Sequence, residues 1–111
     1  MTTSKSDLLQ GTLDMLVLKV VARGPLHGYA IAQHIRRISN DVLQVQQGSL
    51  YPALHKLEKK KWLKSAWRPT ETGRDAKFYS LTPVGRKQLD SERANWDRLS
   101  EAVGLILREA D

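Results

Sequence analysis

Four side chains able to hydrogen-bond or to carry positive charge lie close together in the chain: Ser49, His55, Lys56 and Lys59. They are interleaved with Leu50, Leu54 and Leu57, whose i, i+4, i+7 spacing is that of one helical stripe. A helix over this segment would bury the leucines and turn a hydroxyl, an imidazole and two ammonium groups to solvent. Tyr51 lies at the flank of the stripe, from which its hydroxyl can reach a phosphate. Such hydrogen-bonding groups can contact base edges, and ammonium groups can neutralise phosphates.

The positive charge of the chain is concentrated around this segment. The 111 residues carry a net charge of +6 at pH 7, and the pI is about 9.8. Residues 56–87 alone hold ten Lys or Arg against three Asp or Glu, a net +7, so the rest of the chain is net −1. A local cationic patch favours a polyanionic partner, and beside the predicted helix it indicates binding to double-stranded DNA.

Enzymatic and metal-dependent functions find little support in the sequence. The chain has no cysteine, and His27, His34 and His55 lack metal-ligand spacing. There is no nucleophile elbow and no glycine-rich phosphate loop. We therefore expect neither catalysis nor a metal or cofactor, and we interpret His27 as a helix cap. The lack of cysteine, of a signal-peptide pattern and of an apolar run of ~20 residues predicts a soluble, cytoplasmic protein without a membrane partner.

Hydrophobic periodicity predicts four helices in a chain long enough for a single core. A broad apolar stripe in the first helix indicates packing on two sides, and Arg23-Gly24-Pro25 ends that helix. Pro52 is expected in the first turn of the third helix. Thr82 and Pro83 are typical of a helix start. The predicted helices cover residues 8–22, 28–38, 48–61 and 83–108.

The segment between the third and last helices predicts a hairpin. Residues 63–68 and 77–81 alternate and carry aromatic side chains, as paired strands do, and a turn-rich tip separates them. Trp62 and Trp67 flank the first strand and are expected to pack in the core. Before the third helix, a short alternation within residues 39–47 is either a small strand or an extended edge.

These elements together define a fold class: mainly α with a small β-hairpin (α+β). Three helices followed by a basic hairpin are a winged helix-turn-helix, and a long C-terminal helix is left over. We expect a winged-helix DNA-binding domain over residues 1–82 and a dimerisation helix over residues 83–111.

The last helix carries a pattern of its own. Leu89, Trp96 and Val103 recur every seven residues, and Leu99 and Ile106 fill the intermediate position, which is a coiled-coil-like seam. From residue 90 onward six acidic residues face three basic ones, a net −3, which suits a protein partner better than DNA. The sequence therefore predicts a homodimer. The expected interface residues are Leu9, Leu13, Leu89, Trp96, Leu99, Val103 and Ile106.

Three motifs, in this order, resemble those of the PadR family of bacterial transcriptional regulators: Leu26-His27-Gly28-Tyr29-Ala30-Ile31, then Gly48-Ser49-Leu50-Tyr51-Pro52-Ala53-Leu54 with Leu57-Glu58, then Tyr79-Ser80-Leu81-Thr82 with Gly85. The chain is similar to the short subgroup, which ends in a single helix. The resemblance implies a dimeric winged-helix repressor of palindromic operators, often released by a small aromatic effector. Family members usually have glycine at the position of Lys61, where the chain leaves the helix in a left-handed conformation. A lysine there is strained, or the helix ends differently.

The basic residues and the resemblance together give a predicted DNA interface. The third helix would enter the major groove and the hairpin would contact the adjacent backbone, with half-sites about one helical turn or a multiple apart. The expected contact residues are Tyr29, Ser49, Tyr51, His55, Lys56, Lys59, Arg74 and Lys77.

Further alternatives stay open for the last helix and for the basic face. The last helix could also pack only against the first helix of its own chain, without making a dimer. Trp96 either packs the dimer or lines an inter-subunit cavity that binds a small aromatic, drug-like ligand. The basic face could also bind an acidic protein, or the chain could be a small-molecule sensor that alters a partner without binding DNA.

Overall fold

The winged helix-turn-helix and the long C-terminal helix predicted from the sequence are confirmed. The structure, a computed structural model, describes the backbone of residues 5–111 and the side chains of residues 12–111. None of its described helices is both long and apolar enough to cross a bilayer. In chain order the elements are α1 (Lys5–Val21), β1 (Leu26–His27), α2 (Gly28–Ile38), α3 (Gln47–Lys59), β2 (Leu63–Pro69), β3 (Asp75–Leu81) and α4 (Pro83–Leu107).

One hydrophobic core joins all of these elements except the far end of α4. Helix α1 packs against α2, α3 and α4, which confirms that its broad stripe serves more than one side. The fully buried side chains from α3 are Leu50, Leu54 and Leu57, the predicted stripe. Among residues 12–111, the other buried core residues are Leu13, Val17, Leu18, Val21, Ile31, Ile35, Ala53, Leu63, Tyr79 and Leu89.

Two residues predicted for the dimer interface lie in this core instead. Leu13 is 0% exposed and Leu89 is 2% exposed within the single chain. The heptad pattern places Leu89 on the seam, but the first turns of α4 also pack on α1, and burial there satisfies the same apolar side chain. Neither residue offers surface to a second copy, so the interface assignment of both is corrected. Leu9, predicted for the same interface, lies outside the residues whose side chains the structure describes.

The hairpin is part of a three-stranded antiparallel sheet with the order β1-β3-β2. Strand β1 pairs with β3 through Leu26 and Tyr79 and through His27 and Phe78. A two-residue strand contains no alternation, so the sequence pattern does not predict it. His27 has the predicted capping role as well, because its Nδ1 accepts a hydrogen bond of 3.2 Å from the Ala30 N–H at the start of α2.

The connection between α2 and α3 contains no strand. Residues 39–42 form a turn and residues 43–46 are irregular, so a strand there is wrong. Asn40 and Asp41 adopt left-handed backbone angles, with φ of 54° and 66°, which these two residue types tolerate better than most. The Ser39 hydroxyl accepts a hydrogen bond of 3.0 Å from the Leu43 N–H. Local side-chain bonds of this kind satisfy backbone groups that a strand would have used.

Candidate functional site

Helix α3 begins one residue earlier than predicted and presents the expected polar face. Pro52 lies beyond the first turn, so its predicted place in that turn is wrong, and it removes the hydrogen bond that an N–H would give to the Gly48 carbonyl. His55 and Lys59 are exposed, Tyr51 is half-exposed, and Ser49 is partly exposed. The helix therefore turns four of the predicted groups outward while its leucines are buried.

The start of α2 lies against the start of α3. A Cβ atom added at Gly28 would lie 3.0 Å from the Tyr51 ring and from its hydroxyl. The absence of a side chain at Gly28 therefore leaves room for the Tyr51 ring to pack against α2. Tyr29 is exposed next to this contact, and its hydroxyl accepts a hydrogen bond of 2.7 Å from Gln33 Nε2. Tyr51 of α3 is thus in contact with the start of α2, and the exposed Tyr29 follows this contact directly in the chain.

Two of the predicted DNA-contacting lysines are already paired with carboxylates. Lys56 Nζ lies 2.6 Å from Asp14 Oδ2 of α1. Lys77 Nζ lies 3.1 Å from Glu58 Oε1 of α3. Sequence spacing indicates neither pair, because each joins elements that come together only in the folded chain.

The Glu58 carboxylate also bonds to the other strand of the hairpin. Its Oε2 accepts a hydrogen bond of 2.5 Å from Ser65 Oγ of β2. The bond from Ser65 has the largest effect on the pKa of Glu58 and lowers it, whereas burial raises it. The Lys77 ammonium lowers it further, so the pKa lies below its usual value. The same pair raises the pKa of Lys77. In the sequence Glu58 stands out only as part of a motif, and its spacing from Ser65 and Lys77 gives no sign of this link between helix and hairpin.

The hairpin carries the remaining predicted cation at its tip. Arg74 is exposed, and its carbonyl accepts hydrogen bonds of 2.7 Å and 2.8 Å from the N–H and the hydroxyl of Thr70. Gly73, with φ of 85°, allows this tight turn. Trp67 is 68% exposed, so its predicted place in the core is wrong, whereas Trp62 packs partly buried against the core.

The chain passes from α3 to the hairpin through a strained residue. The Trp62 N–H donates to the Leu57 carbonyl at 3.1 Å, and the Lys61 N–H donates to the Glu58 carbonyl at 3.0 Å. These two bonds are a Schellman motif, which needs a left-handed residue at the position of Lys61. Lys61 adopts φ of 67°. Of the two alternatives, the lysine is therefore strained, and the helix ends as a glycine-terminated helix would.

The outer half of α4 exposes a set of large apolar side chains. Trp96 and Val103 are each 45% exposed, and Leu99 and Ile106 are more exposed still. These four residues follow the predicted seven-residue seam. They lie on the part of α4 that extends past the core.

Known proteins match the chain over most of its length. A model of the Transcriptional regulator PadR-like family matches residues 17–91. The chain is 33% identical over 87 residues to the transcriptional regulator Rv3488 of Mycobacterium tuberculosis, with 78% of each chain covered. A transcriptional regulator from Clostridium thermocellum has a similar structure, with a TM-score of 0.84 and 25% identity over 92% of this chain and 99% of that chain. A PadR family transcriptional regulator from Eggerthella lenta has a TM-score of 0.78 and 31% identity over 94% of this chain and 88% of that chain.

Proposed function

The chain belongs to the PadR-like family of transcriptional regulators, and we propose that it is a cytoplasmic homodimeric repressor that reads a pseudo-palindromic DNA operator. In this proposal α3 enters the major groove and the hairpin lies on the adjacent backbone. The outer half of α4 joins two copies, and their two-fold symmetry gives the operator its dyad.

The observation that carries the proposal is the exposed face of α3. Tyr51, His55 and Lys59 project from a helix whose opposite side is fully buried, so the face is rigidly presented. Tyrosine and histidine can donate and accept hydrogen bonds at base edges, and lysine can neutralise a phosphate. The cationic hairpin follows directly in the chain, which supports contact with one continuous polyanion.

The dimer part of the proposal is supported by the exposed seam of α4. A chain with four large apolar side chains along one exposed stripe gains free energy by burying that stripe against a second copy. The segment from residue 90 onward is net −3, so it is repelled by DNA and would lie away from it. Trp96 on this seam supports a small aromatic effector stacked between the two copies, which would release DNA by changing the spacing of the two α3 helices.

Selection of bound duplexes from a random pool, followed by salt titration, tests the proposal. We expect a selected sequence with dyad symmetry and a steep loss of affinity as salt is raised. Lys59→Met should reduce the slope of log affinity against log salt by about 2 per dimer, since each phosphate contact contributes about 0.9.

Lys19→Met is the matched control, because it removes one exposed lysine from α1 and should leave the slope unchanged. Absence of duplex binding at low salt would reject the proposal and favour a protein partner for the basic face.

A further inference from the structure

The Glu58 carboxylate lies at the junction of α3 and both strands of the hairpin. Its two oxygens have different partners, with Oε2 bonded to Ser65 Oγ of β2 and Oε1 3.1 Å from Lys77 Nζ of β3. Glu58 and Lys77 are each 31% exposed at the side chain, so the pair is partly shielded from solvent. One side chain of the proposed recognition helix thus bonds to both strands of the hairpin.

The register shows where along the hairpin this contact occurs. Ser65 pairs with Tyr79 and Trp67 pairs with Lys77, so Ser65 and Lys77 are diagonal neighbours on one face of the two strands. Along that face of β2, Leu63 is buried, Ser65 is partly buried and Trp67 is exposed. The carboxylate therefore bonds to the hairpin at the level where β2 leaves the core and becomes exposed.

Lys77 is poorly placed to act as a phosphate ligand in this arrangement. Its ammonium group is held by the carboxylate and lies 5.6 Å from the centre of the Tyr79 ring. If it moved to a phosphate, Glu58 would lose its counter-charge and would face a polyanion as a bare carboxylate. The resulting like-charge repulsion would offset the favourable free energy of the lysine–phosphate pair.

We infer that Glu58 is a positioning residue, which acts through Ser65 and Lys77 to fix the angle of the hairpin relative to α3. This inference rests on the proposed DNA-binding function. A fixed angle lets α3 and the hairpin tip contact groove and backbone in one register, so Glu58 contributes to discrimination between operator and unrelated DNA. Lys77 serves this link and does not neutralise a phosphate.

The first experiment measures the salt dependence of operator binding by the double variant Glu58→Gln, Lys77→Met, which removes both charges and leaves no bare carboxylate facing the duplex. The inference predicts that the slope of log affinity against log salt changes by less than about 0.5, whereas a phosphate ligand present in both subunits would change it by about 2. A change of about 2 overturns the inference.

The second experiment measures the ratio of affinities for operator and unrelated duplex in Glu58→Gln. The amide still accepts a bond from Ser65 but no longer holds the Lys77 ammonium by charge. The ratio should fall about tenfold, the worth of a hydrogen bond to a charged group. Glu101→Gln, which removes the same charge from an exposed site on α4, should leave the ratio unchanged. An equal rise in affinity for both duplexes overturns the inference, because Glu58 would then only repel DNA.

A third measurement separates this inference from the proposed function. Residual dipolar couplings of backbone amides in the free protein report the orientation of β2 and β3 relative to α3. Glu58→Gln and Ser65→Ala should change the couplings of the hairpin while those of α1 and α2 stay constant. Unchanged hairpin couplings would overturn the positioning role even if no duplex bound at all.

Discussion

Replacement of Lys61 by glycine should stabilise the protein, because it removes backbone strain at the end of α3. A residue with a Cβ is disfavoured in the left-handed region by about 1–2 kcal/mol, and Lys61 has φ of 67°. About 0.5–1 kcal/mol of this gain is offset, because glycine is more flexible than lysine in the unfolded chain and loses more conformational entropy on folding. The net expectation is about 0.5–1 kcal/mol in the free energy of unfolding, or a rise of roughly 2–5 °C in Tm for a chain of this size.

Urea unfolding at one fixed protomer concentration measures this gain, since the stability of a dimer depends on concentration. Lys61→Ala is the matched control. It removes the charge beside Lys59 and Lys60 but keeps the Cβ, so it should stay within about 0.5 kcal/mol of the wild type. A glycine variant no more stable than the wild type would refute the strain argument. An equal gain in the alanine variant would assign the effect to charge repulsion.

Three further perturbations test the packing, the dimer and the charge at the helix–hairpin junction. Gly85→Ala should lower the free energy of unfolding by about 2–3 kcal/mol in thermal unfolding, because the added Cβ would lie 2.1 Å from the Trp62 carbonyl oxygen. Gly104→Ala is the control and should leave the stability unchanged, because the atoms nearest to its Cβ belong to the flexible side chain of Arg108. Leu99→Glu should weaken self-association about a hundredfold in sedimentation equilibrium, since roughly 1.5 kcal/mol of burial is lost in each copy, while Leu105→Glu, off the seam, should leave the dimer intact. The pKa of Glu58 is lowered from its usual value of 4.5, so its contribution to stability is fully present above that pH and is lost as pH falls through the folded pKa. On acidification the free energy of unfolding should therefore fall by more in the wild type than in Glu58→Gln. Equal losses in the two proteins would contradict a stabilising role for the Glu58 carboxylate.

Local patterns predicted most of the fold. Helix α2 has the predicted bounds, and the Thr82 hydroxyl accepts the Gly85 N–H at 2.9 Å as an N-cap should. The hairpin strands extend slightly further than predicted, to Leu63–Pro69 and Asp75–Leu81. These signals are local: a cap, a stripe of fixed period and an alternation each depend on residues within a few positions of one another.

The partners of charged side chains could not be predicted in the same way. Lys56 and Lys77 look alike in the sequence as exposed cations, but the fold brings an acidic residue of another element to each one. Ion pairs of this kind depend on packing angles and strand register, which single-sequence periodicity does not specify. Leu89 shows the same limit for apolar residues, since one seven-residue pattern serves the core at one end of α4 and an exposed seam at the other.

The central claim is that two copies of the chain insert α3 into two major-groove segments of one duplex, and footprinting on the selected operator tests it most directly. Hydroxyl-radical cleavage and guanine methylation should reveal two protected major-groove patches related by a two-fold axis, with centres about one helical turn or a multiple apart. A single patch, an asymmetric pattern or protection confined to the minor groove would contradict the claim.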